Sequence, residues 1–182
     1  MNKRIISQQE FNGYVSNICR SIAYETWRPD YVVGITRGGL IPATMISHYF
    51  NVPLQTLNVS LRDSNIGPES NLWMAEDAFG YDTDPDTTIK SNPDLKQRIL
   101  IVDDINDSGA TLNWIEKDWM DSVASADWTT IWGTSVRLAV LVNNEASEYK
   151  FIAFVCILIS GLIQSGIFPF HKWLISSLNS PT

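Results

Sequence analysis

The run Ile99-Leu100-Ile101-Val102-Asp103-Asp104-Ile105-Asn106-Asp107-Ser108-Gly109-Ala110-Thr111-Leu112 constrains what this chain can fold into more than any other stretch. Four branched apolar residues read as a buried strand, two carboxylates stand at its end, and a small-residue turn then opens an apolar-periodic helix. Backbone N–H groups of such a turn, with the N-terminus of the helix behind it, cradle a phosphate without any cationic side chain. Asp103 and Asp104 face the place where ribose hydroxyls or a metal would lie. The turn binds and the acids orient, an arrangement that suits a sugar phosphate.

Two other readings compete. A Walker B strand also ends in paired acids, but no G-x-x-x-x-G-K-[ST] run accompanies it. Asp104-x-Asn106-x-Ser108-Gly109 imitates the start of an EF-hand loop, yet its twelfth position is Ile115 and its approach is a strand. The run instead resembles the phosphoribosyl diphosphate (PRPP) signature of the type I phosphoribosyltransferases: an apolar strand, two acids, two variable residues, then Asp-Ser/Thr-Gly-x-Thr. Every defining position is filled. A second loop, Thr36-Arg37-Gly38-Gly39, follows the short apolar run Tyr31–Ile35. By itself it would be a plain turn whose glycines permit close approach of a ligand. It is similar to the Ser/Thr-Arg-Gly-Gly loop that holds the pyrophosphate in purine-type members, and Arg37 supplies the fork of charge a diphosphate leaving group needs.

Elsewhere the pattern is that of an α/β chain. Residues 7–27 carry Phe11, Val15, Ile18 and Ile22 at helical spacing, with Ser7 and Glu10 at capping-box distance. Strands are expected at 31–35, 54–59, 99–103 and 136–142, with helices at 40–50 and 110–124 between them, which implies βαβ units and a mostly parallel sheet. Residues 62–96 are rich in Asp, Asn, Pro, Gly and Ser, with Leu72-Trp73-Met74 as their apolar cluster. They read as a solvated loop or small insertion. By the resemblance, this region holds a mobile lid that keeps water from an oxocarbenium-like transition state.

The chain has 182 residues, enough for one α/β domain. Lys172 is the sole formal charge of 151–182, so the first 150 residues hold 12 basic against 20 acidic groups, a net charge of −8. That balance argues against a nucleic-acid surface. Cys19 and Cys156 make neither a disulfide framework nor a zinc site, and neither His48 nor His171 has a second ligand at useful spacing. With a polar stretch 1–10 and no apolar signal core after it, the expectation is a cytoplasmic protein.

The composition changes after residue 150. Residues 151–168 carry no charge and sit at the length threshold of a membrane span, followed by Trp173 and Lys172 as would-be interfacial anchors. A buried C-terminal helix is the alternative. The stretch Gln164-Ser165-Gly166-Ile167-Phe168-Pro169-Phe170-His171-Lys172-Trp173-Leu174 also resembles a fragment of the antiporter-like membrane subunits of respiratory complex I. It would then be a fusion, a frameshift or a sequence-assembly error. The expected organisation is a phosphoribosyltransferase domain at 1–150, with its core at 31–144, and an apolar helical tail at 151–182. Membrane contact arises only if that tail inserts.

The resemblance implies a parallel-sheet, Rossmann-like type I phosphoribosyltransferase fold of four or five strands with the ligand at their carboxyl ends. It implies conversion of a nucleobase, a purine by likeness, and PRPP into a nucleoside 5′-monophosphate and diphosphate. Arg37, Gly38 and Gly39 would take the diphosphate. Asp107, Ser108, Gly109, Ala110 and Thr111 would hold the 5′-phosphate, and Asp103 and Asp104 the ribose, with Mg2+ reached through ribose and water. Asp107 would accept the proton of the base. A homodimer or homotetramer is the assembly expected. The base side departs from the family: Asn143 or Asn144 stands where a Lys would meet the exocyclic oxygen of a purine. Alternative functions are therefore a catalytically weak regulatory module of the same fold that binds PRPP or a nucleotide, or an inactive chimeric or frameshifted product.

Overall fold

A computed structural model of the protein describes residues 5–59, 71–81, 92–123 and 132–144. The reading of 151–182, and most of the expected lid, fall outside them. Four strands form one sheet, β1 (Tyr31–Ile35), β2 (Leu54–Leu57), β3 (Ile99–Asn106) and β4 (Val136–Asn143), in the order β2-β1-β3-β4. Every pairing is parallel, with Val33 opposite Gln55 and Ile101, and Ile101 opposite Leu138. The apolar runs explain this. All five residues of β1 and the first four of β3 are buried, as strands covered on both faces must be.

Alternate residues serve the two layers. Tyr31, Val33, Ile35, Ile99, Ile101 and Leu138 pack with α3 (Leu72–Phe79) and α4 (Ala110–Val123). Val32, Leu100, Val102 and Ala139 pack with α1 (Gln8–Tyr24) and α2 (Leu40–Phe50). The first helix starts where the capping box predicts. The Ser7 hydroxyl accepts from the Glu10 N–H at 3.2 Å and the Glu10 carboxylate accepts from the Ser7 N–H at 2.9 Å. It ends at Tyr24, short of the expected residue 27, because the Arg28 guanidinium turns back to donate to the carbonyls of Ile22, Ala23 and Glu25.

Three further features differ from the sequence reading. β2 stops at Leu57 rather than residue 59. β3 continues past the acids to Asn106, since β4 keeps pairing with it as far as Asn143. The third difference is larger, because α3 lies inside the segment read as a solvated loop. Met74, Ala75, Ala78 and Phe79 are buried on one side of it, and Gly80 ends it with φ +68°, a left-handed cap that suits glycine. Eight residues give little more than two turns of periodicity, too few to stand out in a polar stretch. Trp73 packs on the body, its ring 6.1 Å from that of Tyr31 at the amino end of β1.

The chain steps from β1 outward to β2 through α2, and from β3 outward in the other direction to β4 through α4. Strand order therefore reverses between β1 and β3, with the intervening helices on opposite faces. Such a reversal leaves a crevice at the carboxyl ends of the two strands.

Trp119 is the largest fully buried side chain, placed on α4 where the helix meets the sheet. Trp119→Ala should lower the unfolding free energy by about 3–5 kcal/mol. Met120→Ala, one residue on and exposed, should stay within about 0.5 kcal/mol. Denaturant titration of both variants checks the layer assignment, and equal effects would contradict it.

Candidate functional site

The crevice between β1 and β3 is built from two loops that touch. The first, residues 36–39, begins with a cis Thr36–Arg37 peptide. The Thr36 hydroxyl donates to the Asn58 side-chain oxygen at 2.9 Å, tying the loop to the end of β2. The Gly39 N–H donates to the Ile35 carbonyl at 3.0 Å, after which α2 begins. A Cβ on Gly39 would fall on the carbonyl oxygens of Val102 and Ile35, and one on Gly38 would fall on the Asp104 carboxylate. Gly39 is thus required by close approach to the β3 backbone, and Gly38 brings the first loop against the Asp104 side chain. Arg37, at the turn itself, is exposed.

Asp103 and Asp104 occupy the last turns of the β3 ribbon. The Asp104 N–H donates to Asp103 Oδ1 and the Ile105 N–H to Asp104 Oδ1, each at 2.9 Å. Burial pushes the Asp103 carboxyl up to about 7, against the opposing pull of the Asp104 N–H. Beyond them Asp107, Ser108 and Gly109 turn the chain into α4. Gly109 is buried with φ +80°, a conformation that a Cβ resists. The Ala110 N–H reaches the Ser108 hydroxyl at 3.4 Å, and the Asn113 N–H donates to the Gly109 carbonyl at 2.9 Å, opening the helix. Asp107, Ser108 and Ala110 are exposed and Thr111 is half-buried. The turn therefore presents backbone donors and hydroxyls at a helix N-terminus, as the sequence leads one to expect.

The carboxyl end of β4 contributes what the sequence reading did not assign. The buried Asn106 side chain donates to the Asn143 side-chain oxygen at 2.8 Å. The Asn144 N–H donates to the Asn106 carbonyl at 2.8 Å, and its side-chain amide donates to the Asp107 carboxylate. The available signal was the Asn that closes each of the two strands, Asn106 and Asn143. Among the described residues no three His, Cys, Asp or Glu side chains form a metal cluster, so the paired acids Asp103 and Asp104 are the oxygen donors at hand. Carboxylate oxygens of this kind suit Mg2+, which they would meet through water and the ribose of a bound phosphosugar. Among the described residues no helix is long and apolar enough to cross a membrane.

The raised Asp103 carboxyl has a consequence for stability. An unfolded Asp releases its proton at about pH 4, whereas the folded one holds it to about pH 7. Between those values the folded state binds the extra proton, so stability is highest at the acid side of this window and falls as pH rises through it. Asp103→Asn should flatten that fall and raise the melting temperature at pH 7.5. A variant whose melting temperature follows the wild-type pH profile would refute the burial argument.

Comparison with known proteins follows the same outline. The model of the phosphoribosyl transferase domain family matches residues 6–171, which runs across the boundary expected at residue 150. The likeness of the tail to a membrane subunit finds no support in that match. Xanthine phosphoribosyltransferase 1 of Saccharomyces cerevisiae is 25% identical over 140 residues, covering 68% of this chain and 63% of that protein. The chain thus spans somewhat less than two thirds of that curated relative. Among solved structures, a purine phosphoribosyltransferase from Pyrococcus horikoshii superposes with a TM-score of 0.53 at 23% identity, covering 81% of this chain and 82% of that one. A xanthine-guanine-hypoxanthine phosphoribosyltransferase from Helicobacter pylori gives 0.53 at 22% identity, with 79% of each chain covered. These two share the fold, an α/β arrangement with a parallel sheet of the type I phosphoribosyltransferase kind. With the family match spanning nearly the whole sequence, the chain belongs to the phosphoribosyl transferase domain family.

Proposed function

We propose that this chain transfers the 5-phosphoribosyl group of PRPP to a purine base, giving a nucleoside 5′-monophosphate and diphosphate. The observation that supports the reading is the contact between loop 36–39 and the β3 acids, which brings Arg37, Asp103 and Asp104 to the same end of the sheet as the turn 107–111. In that crevice the bond from C1 of the ribose to the diphosphate oxygen breaks and a bond to a base nitrogen forms. Arg37, with the backbone of Gly38 and Gly39, stabilises the charge that builds on the departing diphosphate. The backbone of Asp107 to Thr111 and the hydroxyls of Ser108 and Thr111 hold the 5′-phosphate, so that C1 faces the base. Asp103 and Asp104 orient the ribose hydroxyls. Mg2+, carried in on the diphosphate, would neutralise its charge, and Asp103 and Asp104 would meet it through water. Asp107 accepts the proton that the base nitrogen gives up. The purine preference is supported by the name of the yeast relative and by the likeness of loop 36–39 to that of purine-type members.

A second reading has one observation in its favour. Asn143 and Asn144 engage Asn106 and Asp107 at the end of β4, where by the resemblance a Lys would meet the base. A module that binds PRPP or a nucleotide without turnover fits that base side. Incubation of the full chain with PRPP, Mg2+ and each of xanthine, guanine, hypoxanthine and adenine, with release of diphosphate as the readout, separates the two. Turnover with at least one base is expected. Saturable PRPP binding with no turnover on any base would favour the module.

Two sets of variants test the roles. Arg37→Ala should lower kcat by about two to three orders of magnitude at unchanged melting temperature, and Asp107→Asn should keep PRPP binding while losing turnover. Equal losses of binding and rate in Asp107→Asn would refute the division between phosphate holding and proton transfer. Gly109→Val should cost about 2 kcal/mol or more of PRPP binding, since valine is strained at φ +80° and stands where the phosphate approaches. Calorimetric titration of a variant with wild-type circular dichroism checks it, and unchanged affinity would remove the turn from the site.

A further inference from the structure

Asp107 lies just past the end of β3, in a turn, with its side chain exposed. An exposed Asp samples several rotamers, and a proton acceptor needs one. The neighbouring strand supplies the restraint. Asn106 and Asn143 are partners in the parallel register, and their side chains are themselves hydrogen bonded at 2.8 Å, with Asn106 buried. A slip of one residue would break this amide pair and turn its members to opposite faces. The ladder then takes one more step, as the Asn144 N–H donates to the Asn106 carbonyl at 2.8 Å. That step sets Asn144 beside Asp107, and its side-chain amide donates to the carboxylate.

We infer that Asn144 is the positioning residue of Asp107, delivered to it by the register lock between Asn106 and Asn143. The inference rests on the reading of Asp107 as the proton acceptor. A carboxamide is well suited to the task, because it fixes the carboxylate through a hydrogen bond to a charged acceptor without adding a charge of its own. Neither neighbouring chemistry would do the same. An Asp at 144 would repel the carboxylate, and a Lys would neutralise it.

Kinetics of the full chain supply the first test, since Asn144 is exposed and its truncation leaves the core untouched. Asn144→Ala should lower kcat about tenfold, the effect of losing one hydrogen bond to a charged group, and leave KM for PRPP unchanged. Asn144→Gln, which keeps the amide, should recover part of the rate. The double variant Asp107→Asn with Asn144→Ala should be no slower than Asp107→Asn alone. A second measurement needs no turnover. The side-chain amide resonance of Asn144 should lie outside the ordinary Asn range and return to it in Asp107→Ala, with the backbone signals of β4 in place. Additive rate losses in the double variant, or an amide resonance indifferent to Asp107→Ala, would overturn the inference. Full turnover by Asp107→Asn with a responsive amide would instead remove the acceptor role and leave the pairing standing, so the two failures are distinguishable.

Discussion

The structure depends on how closely the first loop approaches the third strand. Gly39 lies against the carbonyls of Val102 and Ile35, with no room for a side chain, and Gly38 lies against the Asp104 carboxylate. The crevice exists because β1 and β3 are neighbours while their helices depart to opposite faces. The glycines convert that topological gap into a site, by letting backbone stand where a Cβ would hold the two loops apart. One contact therefore joins a loop suited to a diphosphate with carboxylates suited to a ribose.

Much of this was legible in the sequence, and for a physical reason. Tyr31–Ile35 and Ile99 to Val102 are apolar on both faces, which only a covered parallel strand requires, and the helix boundaries at Leu40 and Ala110 follow glycine turns. The Ser7 and Glu10 capping box marked its helix start to the residue. What sequence patterning missed came from tertiary pairing. β3 outruns its apolar run because β4 continues to pair with it, and α3 is too short for its period to show within a polar segment. The same holds in the site. Arg37, the two glycines, Asp103, Asp104 and Asp107 to Thr111 are proposed from local motif, but the contact of Gly38 with Asp104 and the reach of Asn144 to Asp107 join residues far apart in the chain. No local pattern records such pairs.

The two ends of the sheet also differ in kind. At the amino end Tyr31 stacks with Trp73, and its hydroxyl donates to Asp77 at 3.2 Å, a packed arrangement of ring and hydrogen bond. At the carboxyl end the groups are acids, amides and turn N–H groups, several of them exposed. Packed aromatic contacts and exposed polar groups therefore stand at opposite ends of the same strands.

The crevice has a further property that follows from its donors. The chain is acidic overall, at −7, so an anion that approaches it meets a repelling field at long range. At the turn 107–111 and the start of α4, in the proposed reading, the attraction would come from partial charges fixed in the peptide backbone. Dissolved ions screen exposed full charges over about 8–10 Å at ordinary ionic strength, and they act far less on contacts made at hydrogen-bond range. Raising the salt thus weakens the repulsion by the body more than the grip of the turn. Arg37, exposed at its loop, is the part of the crevice that salt reaches.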